Sequence, residues 1–278
     1  MSLNLPGKES LSGKVALLGI PTDENSSFIK GCAEAPKAIR AALYSGSTNL
    51  TSEAGTSISH NPRFLDIGDM DVKPGAEGLM RIEEGIEEIL SKGAHPLILG
   101  GDHAITYPIM LAVSKHYPDV EILHFDAHPD LYDIYEENSL SHACPFARIA
   151  ERQFAKRIVQ IGIRTLNEHQ RDQANRFGVE IHEMRSLDVS SFSIRFNGPV
   201  YLSFDMDALD PAFAPGVSHF EPGGLSVRDV ITIIQRTSMR IIGADIVEYN
   251  PRRDFHDMTA MVAVKLIKEI SDIMLRVT

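Results

Sequence analysis

The sequence predicts an α/β protein in which helices cover both faces of a mostly parallel central sheet of about eight strands. Short apolar segments alternate along the chain with segments of helical periodicity, which is typical of parallel sheets joined by crossover helices. The short segments are continuously apolar, as expected for strands that are buried on both faces. Neither an internal repeat nor a long linker interrupts the pattern, so residues 1–278 are predicted to form one domain.

The strands are predicted at short runs that are rich in Val, Ile and Leu. In chain order these runs are VALLGI (15–20), RFLDI (63–67), PLIL (96–99), EILHF (121–125), IVQIGI (158–163), VEIH (179–182), VYLSF (200–204) and RIIGADIV (240–247). Helical spacing of apolar residues predicts helices at 35–43, 78–91, 105–116, 168–177, 227–237 and 259–276. The result is a three-layer α/β/α architecture. Because ligands of such sheets bind at the carboxyl ends of the strands, the residues that follow the strands are candidates for chemistry.

The composition limits the possible partners and the compartment. The chain has 38 acidic and 27 basic residues and a formal net charge of −11, which argues against nucleic acid as a partner. The same charge is compatible with a cationic substrate, or with solubility alone. No apolar run approaches the ~18 residues of a membrane span, and the N-terminal segment lacks the apolar centre of a signal peptide. Two cysteines form no disulfide framework, so we expect a cytoplasmic protein.

Side chains that can bind metal follow two central strands of the predicted sheet. His103 follows the strand at 96–99, after a glycine pair, although a lone histidine there is more often structural. Asp126, His128 and Asp130 follow the strand at 121–125 at alternate positions, so they share one face of an extended segment. Burial of two carboxylates beside an imidazole is costly without a counter-charge, which a divalent metal supplies. A polar turn that caps the strand is the plainer alternative.

A third group follows the strand at 200–204. Asp205 and Asp207 again share one face, whereas Asp210 precedes a proline and is predicted to end the segment as a turn residue. His124 lies one step deeper and is predicted to support the site rather than to bind metal. Two imidazoles and four carboxylates without a thiolate favour a pair of divalent ions, Mn²⁺ before Zn²⁺, that activate water for hydrolysis. The candidate ligands are His103, Asp126, His128, Asp130, Asp205 and Asp207.

These three segments resemble the metal signatures of the ureohydrolase family, which includes arginase and agmatinase. GGDH (100–103), DAHPD (126–130) and SFDMDALDP (203–211) occur in the order that the family shows. The segments GIPTD (19–23), APKAIR (35–40), DIGD (66–69), GIR (162–164) and DIVEYNP (245–251) resemble further landmarks of the family. The resemblance therefore covers nearly the whole chain and implies an arginase-like fold.

The resemblance also implies a reaction and the residues that perform it. Two Mn²⁺ ions per subunit would support hydrolysis of a guanidinium group to urea and a primary amine. Glu248 matches the carboxylate that holds the guanidinium group, and His142 matches the histidine that protonates the leaving amine. Their plainer interpretations are a strand-end salt bridge and a solvated loop histidine. One ion would be held by His103, Asp126, Asp130 and Asp205, and the other by His128, Asp126, Asp205 and Asp207. Family members are commonly trimers or hexamers, so the resemblance also implies a homo-oligomer.

Two loops depart from patterns in the family and bear on the choice of substrate. The loop at 132–141 contains Asp133, Glu136 and Glu137 and no basic residue, and the divergent loop at 216–220 precedes Glu221. A carboxylate would meet like charge between them, so we expect the chain to be closest to agmatinase, with agmatine cleaved to putrescine and urea. Arginine, guanidinobutyrate and formimidoylglutamate are the alternative substrates.

Two functions from other classes were also considered. Deacetylases that share this architecture typically carry tandem histidines at a single metal, and this chain has no His-His pair. A non-enzymatic binding protein of the same fold would be expected to lack some ligands, whereas all six are present. Both observations favour the hydrolase.

Overall fold

The computed structural model describes residues 11–277 and contains one sheet of eight parallel strands. The strands are β1 Val15–Gly19, β2 Phe64–Asp69, β3 His95–Leu99, β4 Glu121–Phe125, β5 Arg157–Ile163, β6 Glu180–Glu183, β7 Arg195–Asp205 and β8 Ser238–Val247. Their order across the sheet is β2-β1-β3-β8-β7-β4-β5-β6, and every neighbouring pair is parallel. The predicted fold class is therefore confirmed. That residues 1–278 form one domain stays a prediction, because residues 1–10 and 278 lie outside the described part.

Helices cover both faces of the sheet and enclose two apolar cores. The helices are α1 Ala35–Leu43, α2 Gly75–Ser91, α3 Thr106–His116, α4 Pro145–Glu151, α5 Glu168–Phe177, α6 Val227–Arg236 and α7 Met258–Val277. Side chains of α1, α6 and α7 fill the core on one face. Side chains of α2, α3, α4 and α5 fill the core on the other face. Within residues 11–277, no helix is long and apolar enough to cross a membrane.

The predicted elements agree with the structure except at some ends and in one helix. The sequence pattern missed α4, because seven residues span only about two turns, too few to show a period. Strand β7 begins at Arg195, five residues before its predicted start, because its first residues are polar or half-exposed and carry no continuous apolar signal.

The sheet order places the four strands that precede the candidate residues side by side, as β3-β8-β7-β4. Their ends are also level, since Ile246 pairs with both Leu99 and Phe204, and Phe204 pairs with Phe125. The residue after each strand therefore faces the same edge of the sheet. Gly101 allows the backbone of Thr22 to pack closely against this edge, because a Cβ on residue 101 would lie 1.6 Å from the carbonyl oxygen of Thr22.

Candidate metal centre and active site

Three carboxylates surround one ring nitrogen of His103. Its Nδ1 lies 3.2 Å from one oxygen of each of Asp126, Asp130 and Asp205. The His103 side chain is fully buried, and among the described residues no group forms a hydrogen bond with this nitrogen. The structure thus brings together four of the predicted ligands from three strands.

A chain of hydrogen bonds fixes the proton of His103 on the opposite nitrogen. Ser203 Oγ lies 2.9 Å from His103 Nε2 and donates its own proton to Asp245 Oδ1 at 2.7 Å. The second oxygen of Asp245 accepts from the hydroxyls of Thr106 and Tyr201, at 2.9 and 2.8 Å. Because the Ser203 hydroxyl has only one proton, it accepts from Nε2–H, and Nδ1 is the ring nitrogen that faces the three carboxylates and can bind a metal ion.

The electrostatics of this group favour the binding of a positive charge. Burial and the charges of Asp207 and Asp126 raise the pKa of Asp205 well above its ordinary value. Burial and the charge of Asp126 also raise the pKa of Asp130 to about 6. These shifts reflect the cost of ionising several carboxylates in one dry space. One imidazole lone pair and three carboxylate oxygens form an N/O donor set that suits a divalent ion such as Mn²⁺, so the residues fit the metal that the sequence predicts.

A second donor group lies next to the first. His128 Nδ1 is 3.1 Å from Asp207 Oδ2 and 3.4 Å from Asp126 Oδ1. The two carboxylates are oriented by the backbone, since His128 N–H donates to Asp126 Oδ1 at 2.6 Å and Ala127 N–H donates to Asp207 Oδ1 at 3.1 Å. Asp126 is therefore within reach of both histidines. Among the described residues, Asp205 makes such a contact with His103 alone, so its predicted bridging role rests on the resemblance.

His124 supports the centre rather than binding metal, although it is close to both His103 and Asp126. The Gln160 amide nitrogen donates to Pro129 O at 2.8 Å, and a carbonyl can only accept, so this end of the amide is NH₂. The same nitrogen donates to His124 Nδ1 at 3.0 Å. The proton of His124 is thus on Nε2, where it is donated to Asp126 Oδ2 at 2.8 Å. No pattern in the sequence indicated Gln160, which lies 36 positions from His124.

Glu248 and His142 form a buried pair beside the metal ligands. His142 Nδ1 lies 2.8 Å from Glu248 Oε1, which also accepts from His103 N–H at 2.9 Å. Burial alone would raise the pKa of Glu248, but the charge of His142 outweighs it and lowers the pKa to about 2. Burial disfavours the charged imidazole, yet the charge of Glu248 raises the pKa of His142 to about 9. Glu248 adopts a φ of 62°, a strained conformation that is typical of functional sites.

One pocket of about 170 Å³ is lined by four of the predicted metal ligands together with His142 and Glu248. The four ligands are His128, Asp130, Asp205 and Asp207, whereas His103 and Asp126 lie behind them and do not line it. Tyr132, Thr165 and Gln170 also line the pocket. The ring of His219 lies 5.3 Å from that of His142 and 5.9 Å from that of His128. The divergent loop at 216–220 therefore contributes a pocket residue.

Arg164 is not available to a substrate. Its guanidinium group donates to the carbonyl oxygens of Glu221 at 2.8 Å, Gly162 at 3.1 Å and Asp207 at 2.7 Å. It joins the segment that carries Asp207 to the loop that precedes α6. The sequence resemblance identified Arg164 as a landmark but not this bracing contact, which depends on backbone carbonyls.

The acidic residues that favoured agmatine do not line the pocket. Asp133 accepts from the Gln173 amide at 2.5 Å, while Glu136 and Glu137 are exposed on a left-handed turn with φ of 48° and 63°. Glu221 is also absent from the lining among the described residues. The expected repulsion of a substrate carboxylate therefore has no basis in the structure, and the reason for preferring agmatine over arginine was wrong.

Comparison with known proteins agrees with this geometry. A sequence profile of the arginase family matches residues 13–271. Mitochondrial arginase 1 of Arabidopsis thaliana is 47% identical over 274 residues, which cover 92% of this chain and 80% of that protein. The solved arginase of Medicago truncatula superimposes with a TM-score of 0.88 at 42% identity, covering 95% of this chain and 88% of that chain.

An agmatinase of Bacillus anthracis is 32% identical, over 92% of this chain and 90% of that protein. Since the plant arginase is considerably more similar, the expectation that agmatinase is the nearest likeness is not supported. The arginase-like fold and the ureohydrolase resemblance are both confirmed. The chain belongs to the arginase family of ureohydrolases.

Proposed function

We propose that this protein is a binuclear manganese hydrolase that cleaves the guanidinium group of arginine to urea and ornithine. The observation that supports it most is the buried Nδ1 of His103 facing three carboxylate oxygens at 3.2 Å. Although burial disfavours the charged imidazole, these carboxylates raise the pKa of His103 well above its ordinary value, so the group attracts a positive charge, which a metal ion can supply in place of the proton. His103, Asp126, Asp130 and Asp205 would hold one ion, and His128, Asp126, Asp205 and Asp207 the other. When bound, the two ions would supply the positive charge that makes water nucleophilic near neutral pH.

Glu248 is assigned to hold the substrate guanidinium group. Its Oε1 already accepts from the His103 N–H and from His142, whereas among residues 11–277 Oε2 receives only the weak thiol donor of Cys32, at 3.5 Å. Oε2 is therefore free to accept from a guanidinium N–H. A carboxylate whose pKa lies near 2 is ionised throughout the physiological range and gives a charge-assisted hydrogen bond.

His142 is assigned to protonate the leaving amine. Its pKa near 9 favours the charged imidazole at neutral pH, and Glu248 holds the proton on Nδ1. Nε2 lies in the same pocket, where it accepts from the Ser27 N–H at 3.3 Å and lies 2.8 Å from Ser27 Oγ, so it is the nitrogen that takes up a proton and passes it to the amine. Protonation matters because the amine leaves poorly as an anion.

Arginine is proposed over agmatine for two reasons. The plant proteins to which this chain is most similar among those compared are named arginases, and the acidic residues that favoured agmatine lie outside the pocket. Guanidinobutyrate also stays a candidate, because a human guanidino acid hydrolase is 35% identical over 96% of this chain. Agmatine, the substrate first expected, becomes the alternative.

Release of urea from arginine, agmatine and guanidinobutyrate, measured with added Mn²⁺, tests the proposal. We expect arginine to have the highest kcat/KM. Glu248→Gln is the control, because it removes the charge that holds guanidinium and should abolish urea release if the activity belongs to this pocket. Urea from none of the three would refute the hydrolase, and agmatine equal to or better than arginine would refute the choice of substrate.

Location and assembly stay predictions. The cytoplasmic location was inferred from composition, whereas the Arabidopsis thaliana relative is named as mitochondrial. We also propose a trimer or hexamer, as the family resemblance implies, and sedimentation of the purified protein tests it.

A further inference from the structure

The pocket contains no obvious charge partner for a substrate carboxylate. None of its lining residues within 11–277 is a lysine or an arginine. The nearby Arg164 is engaged with backbone carbonyls. If the substrate carries a carboxylate, as the proposed function requires, neutral donors must receive it.

Gln170 offers such a donor. It is 3% exposed, lines the pocket, and lies in the first turn of α5. Its side-chain oxygen accepts from Leu131 N–H at 3.1 Å. Because an N–H can only donate, this contact fixes the orientation of the amide and leaves the NH₂ group on the other side. Among the described residues nothing accepts from that NH₂ group, although it belongs to a buried side chain.

The surroundings of Gln170 add positive potential and a second donor. Asn167 caps α5 by accepting from Gln170 N–H at 2.9 Å, so the positive end of a ten-residue helix lies at this part of the pocket. The Asn167 amide nitrogen donates to Tyr132 OH at 2.6 Å. The hydroxyl proton of Tyr132 therefore has no acceptor in Asn167 and can be donated to a ligand.

The spacing of the strands is compatible with the length of the substrate. Glu248 follows β8, and α5 follows β5, which lies three strands away at a spacing of roughly 14 Å. In arginine, three methylene groups and the α-carbon separate the guanidinium group, which Glu248 would hold, from the carboxylate, which would lie near α5. The side chains of the two protein residues that hold these groups span the remaining distance between the strands.

We propose that Gln170 is the specificity-determining residue that receives the substrate carboxylate, with Tyr132 as its partner. The inference rests on the proposed function, because it presupposes a guanidino substrate at Glu248. It adds that selection for a carboxylate comes from an uncharged amide and a helix terminus rather than from a cation.

Gln170→Glu is the sharpest variant. Glutamate keeps an oxygen for Leu131 N–H, so a merely structural role is preserved, but it replaces NH₂ with a charged oxygen. We expect the ratio of kcat/KM for arginine to kcat/KM for agmatine to fall by about 10²-fold or more. Asn175→Asp adds the same charge at an exposed position of α5 and should leave this ratio unchanged. An equal ratio in the two variants would overturn the assignment.

Two further measurements keep the proposal testable if Gln170→Glu folds poorly or turns over slowly. Tyr132→Phe removes only a hydroxyl and should lower kcat/KM for arginine about tenfold, with that for agmatine unchanged. Calorimetric binding of ornithine and putrescine should show that Gln170→Glu weakens ornithine alone. Unchanged ornithine binding would overturn the subsite, whereas weakened binding in a protein that prefers agmatine would overturn only the proposed substrate.

Discussion

Ser203 provides a quantitative test of how the metal ligands are oriented. His103, Ser203 and Asp245 are all fully buried, and Ser203→Ala removes both hydrogen bonds that join them. The variant leaves His103 Nε2–H and Asp245 Oδ1 without their partner. Each buried group that loses its partner costs about 1–3 kcal/mol, so the loss of two partners should lower the unfolding free energy of the metal-free protein by about 2–6 kcal/mol.

The same substitution should weaken metal binding. Without Ser203 the ring of His103 is free to turn its Nδ1 away from the carboxylates. Loss of an outer hydrogen-bond partner of a metal-binding histidine typically lowers affinity by about 10- to 100-fold, which is about 1.4–2.7 kcal/mol. Calorimetric titration of metal-free protein with Mn²⁺ measures this change, and urea denaturation measures the change in stability.

Ser271→Ala is the matched control. Ser271 is also a fully buried serine, but its hydroxyl has no hydrogen-bond partner among the described residues. Its removal should leave Mn²⁺ affinity unchanged and stability unchanged or slightly higher, because it eliminates an unsatisfied polar group. Wild-type affinity and stability in Ser203→Ala would refute the account of how His103 is held.

Three other predictions follow from the site. Asp126→Asn should lose more bound Mn²⁺ by elemental analysis than Asp207→Asn, because Asp126 contacts both histidines; equal loss would contradict a shared ligand. His142→Ala should lower turnover about 10²-fold with both metals retained, and loss of metal would exclude its role in proton transfer. The His142–Glu248 pair should stabilise the metal-free protein most below pH 6.5 and above pH 4.5. The His142 contribution is lost as pH rises through about 9, and that of Glu248 as pH falls through about 2. The difference in unfolding free energy between wild type and Glu248→Gln should therefore shrink from about pH 5.5 to about pH 9.5, and a growing difference would contradict the pairing.

Much of the fold was predictable because strands buried on both faces leave a continuous apolar signal. The run predicted at 121–125 coincides with the strand Glu121–Phe125, because every residue of this strand is buried. The first half of β7 was not predictable, because its register with β8 shifts between Arg195 and Pro199 and its residues are not continuously apolar. Burial, rather than strand formation itself, is what the sequence pattern reports.

The clustering of the candidate metal ligands was predictable for a related reason. Alternate residues after one strand share a face whatever the rest of the fold does, so Asp126, His128 and Asp130 could be grouped from the sequence. Gln160 and Asp245 could not, because their contacts with His124 and Ser203 depend on which strands lie side by side. The sequence thus indicates which residues can perform chemistry, and only the topology shows which residues orient them.

The charge argument for agmatine lost its support for the same physical reason. Counting charges in a loop does not show where the side chains point, and Asp133 turns toward Gln173 rather than into the pocket. Gln170 is neutral and lies in a helix, so no charge count could have selected it.

Metal stoichiometry measured together with urea release tests the central claim most directly. Chelator-treated protein is titrated with Mn²⁺ while bound metal is determined by elemental analysis and urea release from arginine is followed. We expect no urea release from metal-free protein and full recovery as occupancy reaches two ions per chain. Full activity in protein verified to be metal-free, or a plateau of activity with no metal bound at His103 and Asp126, would contradict the account.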